Sequence, residues 1–451
     1  MPSSLSDRAS LLFRGMTLWK LTGKVDAISG LSISVAGIHN MSAVGDRLQI
    51  GNQGASPVQA EIIGFDHKLA RAMAFESLYG IGPGTSASLY VTPDFKPRGG
   101  MLYVDDRWLG RIVTPLGEAA DGKGFLPQGR IPRPVRCTPP EATGRARLGP
   151  CIDLGVRALN AFATCREGQR LGLFAGSGVG KSTLLAMLAR NTACDVAVIA
   201  LVGERGREVR EFIEDDLGEK GLARSVVVTA TSDAPPLMRR EAALAAMTVA
   251  EHFRDQGKSV LLLMDSVTRY CQALREVGLS TGEPPATRGY PPSVFAELPR
   301  LLERAGPGPI LPDGSSEQIT ALFTVLVEGD DMNEPVADSV RGILDGHIIL
   351  DRRIGENGRY PAINILRSLS RSVPGCNSPE ENALTKRARS IMATYSEMED
   401  MIRLGAYRQG SDPRVDEAIR LHPLLETFLQ QDRHEQADIE EGFTALKAIL
   451  T

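Results

Sequence analysis

The sequence predicts an α/β protein, with a parallel-sheet core between a small N-terminal β-barrel and a C-terminal α-helical domain. From about residue 151 to 375, apolar strand-like runs alternate with helical segments, which is typical of βαβ units. Residues 21 to 91 instead contain short β-like runs separated by glycine-containing turns. Beyond residue 380 the apolar spacing is helical throughout. Together these patterns predict three domains.

The first twenty residues form an amphipathic N-terminal segment, with Leu5, Ala9, Leu12, Met16 and Trp19 on one helical face. We place the barrel at 21–91, the main α/β domain at 92–375 and the helical domain at 376–451. The main domain begins with a strap, residues 92–150, that contains nine prolines and nine glycines and no sustained periodicity. We expect this strap to run over its neighbours as an extended connection.

Composition excludes several functional classes. Of 451 residues, 51 are Lys or Arg and 55 are Asp or Glu, a formal net charge of −4, so the basic excess of a nucleic-acid-binding surface is missing. The six cysteines show no C-x-x-C spacing, which predicts reduced thiols, mostly in the core. Apolar runs fall short of the ~18 residues that span a bilayer, and no secretory signal is visible. We therefore expect a cytoplasmic protein.

The strongest motif is a glycine-rich loop between an apolar strand, Gln169–Phe174, and a helical segment, Thr183–Arg190. Such a loop turns backbone N–H groups toward phosphate oxygens, and the helix N-terminus adds partial positive charge. Lys181 is expected to reach the β- and γ-phosphates of ATP, and the Ser182 hydroxyl to bind Mg²⁺. Alanine replaces glycine at the first position of the motif. The predicted nucleotide-binding residues are Ala175, Gly176, Ser177, Gly178, Val179, Gly180, Lys181, Ser182 and Thr183.

Two acidic residues follow other apolar runs. Asp265 ends the run Ser259–Met264, where an aspartate beside a phosphate loop holds the Mg²⁺ shell; a helix-capping role is the alternative. Glu204 follows Val196–Val202, where a carboxylate can orient and polarise an attacking water. Alone, the segment around Glu204 reads as a solvated turn. Combined with the loop, both acids predict a phosphoryl-transfer site.

Four longer strings, at 203–212, 263–270, 288–299 and 320–331, resemble the ATPase of bacterial type III protein export. That family is homologous to the catalytic subunit of rotary ATP synthases, and the resemblance covers about residues 20 to 430. It implies a RecA-like P-loop ATPase core, Mg²⁺ and ATP as cofactors, and a homohexameric ring. Within the family, the phosphate loop is similar to that of the flagellar branch.

The resemblance also implies roles for individual residues. Glu204 matches the catalytic glutamate, and Arg205 its supporting neighbour. Tyr360 matches a tyrosine that packs on adenine, and Arg371 matches an arginine finger that reaches the neighbouring subunit's γ-phosphate. Without the resemblance, Tyr360 reads as a core aromatic and Arg371 as half of a surface ion pair.

The implied partners are a stator-like regulatory protein at the N-terminal segment, a coiled-coil stalk protein in the ring pore, export gate membrane proteins, and export chaperones with flagellar cargo. They imply peripheral association with the inner membrane. A virulence injectisome ATPase is the main alternative. A hexameric RNA translocase is disfavoured, because residues 21–91 carry four basic and five acidic residues and few aromatics. A noncatalytic ring subunit and an ATP synthase catalytic chain complete the alternatives.

Overall fold

The computed structural model describes residues 19–51, 57–91, 100–310, 317–327, 329 and 331–451. Its N-terminal part is a closed six-stranded barrel with the strand order β1-β2-β5-β4-β3-β6. Alternate residues of these strands point inward, as in Ser32–Ala36, where Ile33 and Val35 are fully buried. The barrel strands are β1 (Trp19–Ser29), β2 (Ser32–Ala36), β3 (Arg47–Ile50), β4 (Val58–Asp66), β5 (Leu69–Ala74) and β6 (Ser86–Val91).

The predicted amphipathic helix lies mostly outside the described residues. One of its residues, Trp19, instead begins the first barrel strand and pairs with Val91, so the predicted helical face extends one residue too far.

The central domain contains a nine-stranded sheet in the order β19-β18-β12-β17-β15-β13-β14-β8, with β16 added beside β17. Its pairs are parallel except for β18 with β19 and β16 with β17. These strands are β8 (Arg111–Val113), β12 (Arg170–Ala175), β13 (Val196–Glu204), β14 (Ser225–Thr231), β15 (Val260–Asp265), β16 (Gly306–Pro307), β17 (Gln318–Leu326), β18 (Gly346–Leu350) and β19 (Leu369–Ser370). Two small sheets pair β7 (Met101–Leu102) with β9 (Arg133–Pro134), and β10 (Cys151–Ile152) with β11 (Cys165–Arg166).

Helices cover both faces of the sheet, which explains why its strands are almost continuously apolar. Alternate residues of β13 belong to the hydrophobic cores on opposite faces of the sheet. Val198 and Ala200 lie in one core, and Ile199 and Leu201 lie in the other. The helices are α1 (Arg157–Phe162), α2 (Lys181–Asn191), α3 (Gly206–Glu211), α4 (Gly218–Ala223), α5 (Pro236–Arg254), α6 (Val267–Ser280), α7 (Pro292–Leu302), α8 (Pro335–Ile343), α9 (Arg352–Glu356), α10 (Pro379–Arg403), α11 (Pro413–Leu429) and α12 (Ile439–Leu450). A π-helical segment, Phe212–Leu217, joins α3 to α4.

The C-terminal helices contact α1 and belong to the hydrophobic core on one face of the sheet. Leu421 and Leu425 of α11 and Leu446 of α12 share a core with Leu184 and Leu188 of α2. A capping box starts α10, because Ser378 accepts from the Glu381 backbone while Glu381 accepts from the Ser378 backbone. This architecture of barrel, α/β core and helical domain confirms the predicted fold class.

Buried ion pairs join the barrel to the central domain. Glu61 of β4 accepts hydrogen bonds from Arg240 of α5 at 2.6 Å and from Arg136 of the strap at 2.8 Å. Arg47 of β3 pairs with Glu241, the next residue of α5. Because breaking such buried pairs is costly, this network fixes the barrel against α5.

Two expectations for the central domain need correction. The strap is more than a surface connection, since its strand β8 adds an edge to the main sheet beside β14. The cysteines are not mostly core residues: Cys165 and Cys271 are buried, whereas Cys137 and Cys151 are exposed. Cys137 lies in the strap, and Cys151 begins the short strand β10, outside the main sheet. Within the described ranges, no helix is long and apolar enough to cross a membrane.

Candidate active site

The glycine-rich loop lies where the central strand β12 ends and helix α2 begins. Gly178 and Gly180 have φ values of +76° and +87°, a backbone conformation that side chains disfavour. These two glycines let the chain turn sharply between the end of β12 and the start of α2. Arg352 at the start of α9 supports this turn, because its guanidinium donates to the Ser177 backbone oxygen at 3.0 Å.

Lys181, Glu204 and Asp265 come together beside this loop. Glu204 ends β13 and Asp265 ends the adjacent β15, with Leu201 and Asp265 in register. The carboxyl ends of parallel strands meet at one edge of a sheet, so both acids reach the side chain of Lys181. Lys181 Nζ forms an ion pair with Asp265 Oδ1 and lies 3.5 Å from Glu204 Oε1. All three side chains are largely buried.

Burial and charge both act on these groups. Burial lowers the pKa of Lys181, but the carboxylates of Asp265 and Glu204 outweigh it and hold that pKa above its usual value. Burial and the charge of Asp265 raise the pKa of Glu204, while Lys181 and Arg269 act in the opposite direction. Glu204 is thus a carboxyl group whose proton affinity is raised above its usual value, as suits a base that takes a proton from water.

A cavity of about 980 Å³ opens in front of these residues. Its walls bring together the loop, Glu204 at the end of β13 and the start of α6. Its volume suits a nucleotide-sized ligand. Five arginines in its lining can pair with the negative charges of a polyphosphate, and five acidic residues line the same cavity. Described residues that line it include Ala175, Gly176, Ser177, Gly178, Gly180, Lys181, Ser182, Thr183, Glu204, Arg205, Thr268, Arg269, Gln272, Arg275, Arg288 and Arg352.

The remaining predicted site residues occupy distinct positions. Val179 is buried beneath the loop, whereas Ser182 is exposed to the cavity. Arg205 lies at the cavity rim with its side chain 78% exposed, and pairs with Glu208 at 3.1 Å. Tyr360 is half-exposed rather than a core aromatic, and its ring lies against the loop: a Cβ atom on Gly180 would stand 3.3 Å from it.

Arg371 does not join this group. It directly follows the edge strand β19 and lines a separate groove with Asp338, Arg341 and His347. Its side chain is exposed, and its backbone N–H donates to Asp345 at 2.9 Å. Within one chain, the structure therefore separates Arg371 from Lys181, Glu204 and Asp265.

Three residues of the site were not predicted from the sequence. Arg269, on α6, packs its stem against Gly203 and acts on Glu204. Thr324, on β17, donates from its hydroxyl to Asp265 Oδ1 at 2.7 Å. The third is Arg352, described above. The available signal was positional, because Arg269 lies in the first turn, and Arg352 at the first position, of a helix that closely follows a sheet strand.

The oxygen atoms at this site fit a magnesium ion. Mg²⁺ is usually bound through one or two protein oxygens together with substrate phosphates and water, rather than by an all-protein cage. The Ser182 hydroxyl and the Asp265 carboxylate, both beside the loop, supply that kind of ligand. Among the described residues, no group of three or more His, Cys, Asp or Glu could hold a metal alone. The site thus suits a metal that arrives with a nucleotide.

Comparison with known proteins agrees with this geometry. Residues 155–370 match the nucleotide-binding domain of the ATP synthase alpha/beta family, residues 25–88 match its beta-barrel domain, and residues 377–448 match the C-terminal domain of the type III secretion ATPase EscN. The flagellum-specific ATP synthase of Caulobacter vibrioides is 54% identical over 95% of both chains. That of Salmonella typhimurium is 47% identical over 87% of this chain and 85% of its own.

Solved structures give the same result. The assembled ATPase EscN of the enteropathogenic E. coli type III secretion system is 39% identical, with a TM-score of 0.85 over 95% of this chain and all of that one. A second structure holds EscN with its central stalk EscO, at a TM-score of 0.84. By its sequence, its fold and its loop-and-carboxylate site, the chain belongs to the family of flagellum-specific ATP synthases, the type III export branch of the ATP synthase alpha/beta ATPases.

Proposed function

We propose that this ATPase is the motor of flagellar type III protein export and hydrolyses Mg-ATP at the cavity in front of Lys181. The convergence of Lys181, Glu204 and Asp265 on one phosphate loop is the observation that carries this proposal. Identity favours the flagellar branch over the injectisome, at 54% to the Caulobacter flagellar relative against 39% to EscN.

In the proposed mechanism, the loop N–H groups and the start of α2 bind the phosphates, and Lys181 turns from Asp265 to the γ-phosphate. Glu204 orients the attacking water and accepts its proton, which its raised pKa favours. Bound through Ser182 and Asp265, partly by way of water, Mg²⁺ would neutralise charge that develops on the phosphates. Arg205 at the rim supports Glu204, and Tyr360 packs on the adenine base.

We infer that a neighbouring subunit completes the site in a homohexameric ring. Arg371 lies outside the cavity of its own chain, so an arginine finger at that position must act on another subunit. EscN, the structural neighbour, was solved as an assembled ATPase and together with its central stalk. By analogy, a coiled-coil stalk protein occupies the pore of this ring.

Further partners follow from the family. A stator-like regulator binds the N-terminal segment, of which residues 1–18 lie outside the described ranges. Export gate proteins, chaperones and flagellar cargo engage the assembled ring at the inner membrane, and nucleic acid is not a partner. We also retain the division of the chain into residues 1–20, 21–91, 92–375 and 376–451.

Measurements of nucleotide binding and of turnover test the catalytic part of this proposal. Glu204→Gln should bind a fluorescent ATP analogue as the unsubstituted protein does, and should release phosphate from Mg-ATP at least a hundredfold more slowly. Equal losses of binding and turnover would show that Glu204 takes no part in the chemical step.

Deleting the gene from its own bacterium tests the biological part. The flagellar function predicts loss of filaments and swimming. A strain that keeps its filaments but no longer injects proteins into host cells would favour the injectisome instead.

A further inference from the structure

The hydroxyl group of Thr324 contacts the carboxylate of Asp265 from the neighbouring strand. Thr324 lies on β17, beside β15, and is fully buried. Its Oγ1 atom lies 2.7 Å from Asp265 Oδ1 and 3.2 Å from the backbone oxygen of Met264. A hydroxyl has one proton to donate, and hydrogen bonds to charged acceptors are shorter and stronger. Thr324 therefore donates to Asp265.

Asp265 Oδ1 receives a second donor, the ammonium group of Lys181. The two donors differ in mobility. The ammonium group of Lys181 stands at the end of a long flexible side chain, and the proposed function requires it to move to the phosphates. The β-branched side chain of Thr324 is stiff and sits on a central strand. When Lys181 binds phosphate, Thr324 still holds the same oxygen of Asp265.

From this arrangement we propose that Thr324 is a positioning residue, which fixes the orientation of Asp265 for the metal-nucleotide complex. The inference deepens the proposed function and rests on the metal role assigned there to Asp265. Removing the hydroxyl should weaken binding of the nucleotide with Mg²⁺ and leave binding of the metal-free nucleotide unchanged.

A second buried threonine provides a matched control. Thr320 lies four residues earlier on the same strand and is equally buried. Its Oγ1 atom accepts a hydrogen bond from the Gly168 backbone at 3.0 Å, at the opposite end of the strand from Asp265. Thr320→Val thus removes a buried hydroxyl from β17 with no contact to the site.

The experiment measures binding of a fluorescent, non-hydrolysable β,γ-imido analogue of ATP to the full-length protein, in magnesium chloride or in EDTA. The unsubstituted protein should bind more tightly with magnesium. Thr324→Val should lose roughly tenfold in affinity with magnesium and less than twofold in EDTA. Thr324→Ser, which keeps the hydroxyl, and Thr320→Val should both stay within about twofold of the unsubstituted protein in magnesium.

Three results would overturn the proposal: full magnesium enhancement in Thr324→Val, equal losses in Thr324→Val and Thr320→Val, or no rescue by Thr324→Ser. Thermal unfolding shows whether each variant folds. If Thr324→Val does not fold, Thr324→Ala and Thr324→Ser serve as the test pair, since they differ by the hydroxyl alone. Absence of any magnesium effect in the unsubstituted protein would instead refute the metal role of Asp265 itself.

Discussion

Replacing Arg371 by alanine should slow hydrolysis at least a hundredfold and leave the subunit folded and able to bind nucleotide. The side chain is exposed, and the hydrogen bond to Asp345 uses the backbone, which alanine keeps. Substitutions at such positions usually change the free energy of unfolding by less than about 0.5 kcal/mol. Because Arg371 does not line the cavity of its own chain, nucleotide affinity should stay within about twofold.

The loss of turnover should be much larger than these changes in stability and nucleotide affinity. An arginine finger contributes ~10³ to 10⁵ in rate, so we expect at least a hundredfold loss of kcat. The assay is phosphate release at saturating Mg-ATP, with analogue binding measured in parallel. Arg341→Ala is the matched control, because Arg341 lines the same groove and pairs with Asp338 on its own helix. It should keep its turnover within about twofold.

A mixing experiment decides whether Arg371 acts between subunits. Equimolar Arg371→Ala and Glu204→Gln subunits, assembled at random, give an intact Glu204 opposite an intact Arg371 at about one quarter of ring interfaces. Activity should therefore recover toward a quarter of the unsubstituted value, although neither parent is active. If light scattering shows mixed rings and activity stays at the parental level, the shared site is refuted.

Three further outcomes are expected. Specific ATPase activity should rise steeply with protein concentration, because dilution separates subunits that share a site. A specific activity that stays constant through a dilution series would contradict this. Lys181→Met should lower the free energy of unfolding by about 3 kcal/mol at pH 8, since it leaves Glu204 and Asp265 buried without their cation. Because burial already raises the pKa of Glu204, protonation relieves this penalty, so denaturant titrations should show a smaller loss at pH 5 than at pH 8. Deleting residues 2–18 should leave folding and basal phosphate release unchanged but abolish regulator binding in a pull-down. If the deleted protein still binds the regulator, the regulator does not bind that segment.

Local patterns in the chain were sufficient to predict that Lys181, Glu204 and Asp265 lie together beside the loop. The phosphate loop is contiguous, and its glycines, lysine and flanking strand and helix stand at fixed spacing from 169 to 190. Glu204 and Asp265 each end an apolar run. Since parallel strands end at one edge of a sheet, their meeting with Lys181 follows from the predicted topology.

Contacts between distant elements could not be predicted in this way. Thr324 lies 59 residues from Asp265, and Arg352 lies 175 residues from Ser177. Threonine in a strand usually indicates only a fit to the pleated surface, and an arginine at a helix start is common. Their significance depends on strand order, which places β17 beside both β12 and β15 and so brings Thr324 to the acid.

Strand order also explains why Arg371 cannot serve its own cavity. Strand β19 pairs with the amino end of β18, Ser370 opposite Gly346, and Arg371 bonds to Asp345. The β12–β18 register places Asp345 level with Arg170, five residues before the start of the phosphate loop. Five residues of strand and two strand spacings separate the backbone of Arg371 from the start of the phosphate loop by about 19 Å, whereas an arginine side chain extends only about 7 Å. A catalytic role for Arg371 therefore requires the cavity of a second chain, so a ring of identical subunits can be catalytic at every interface.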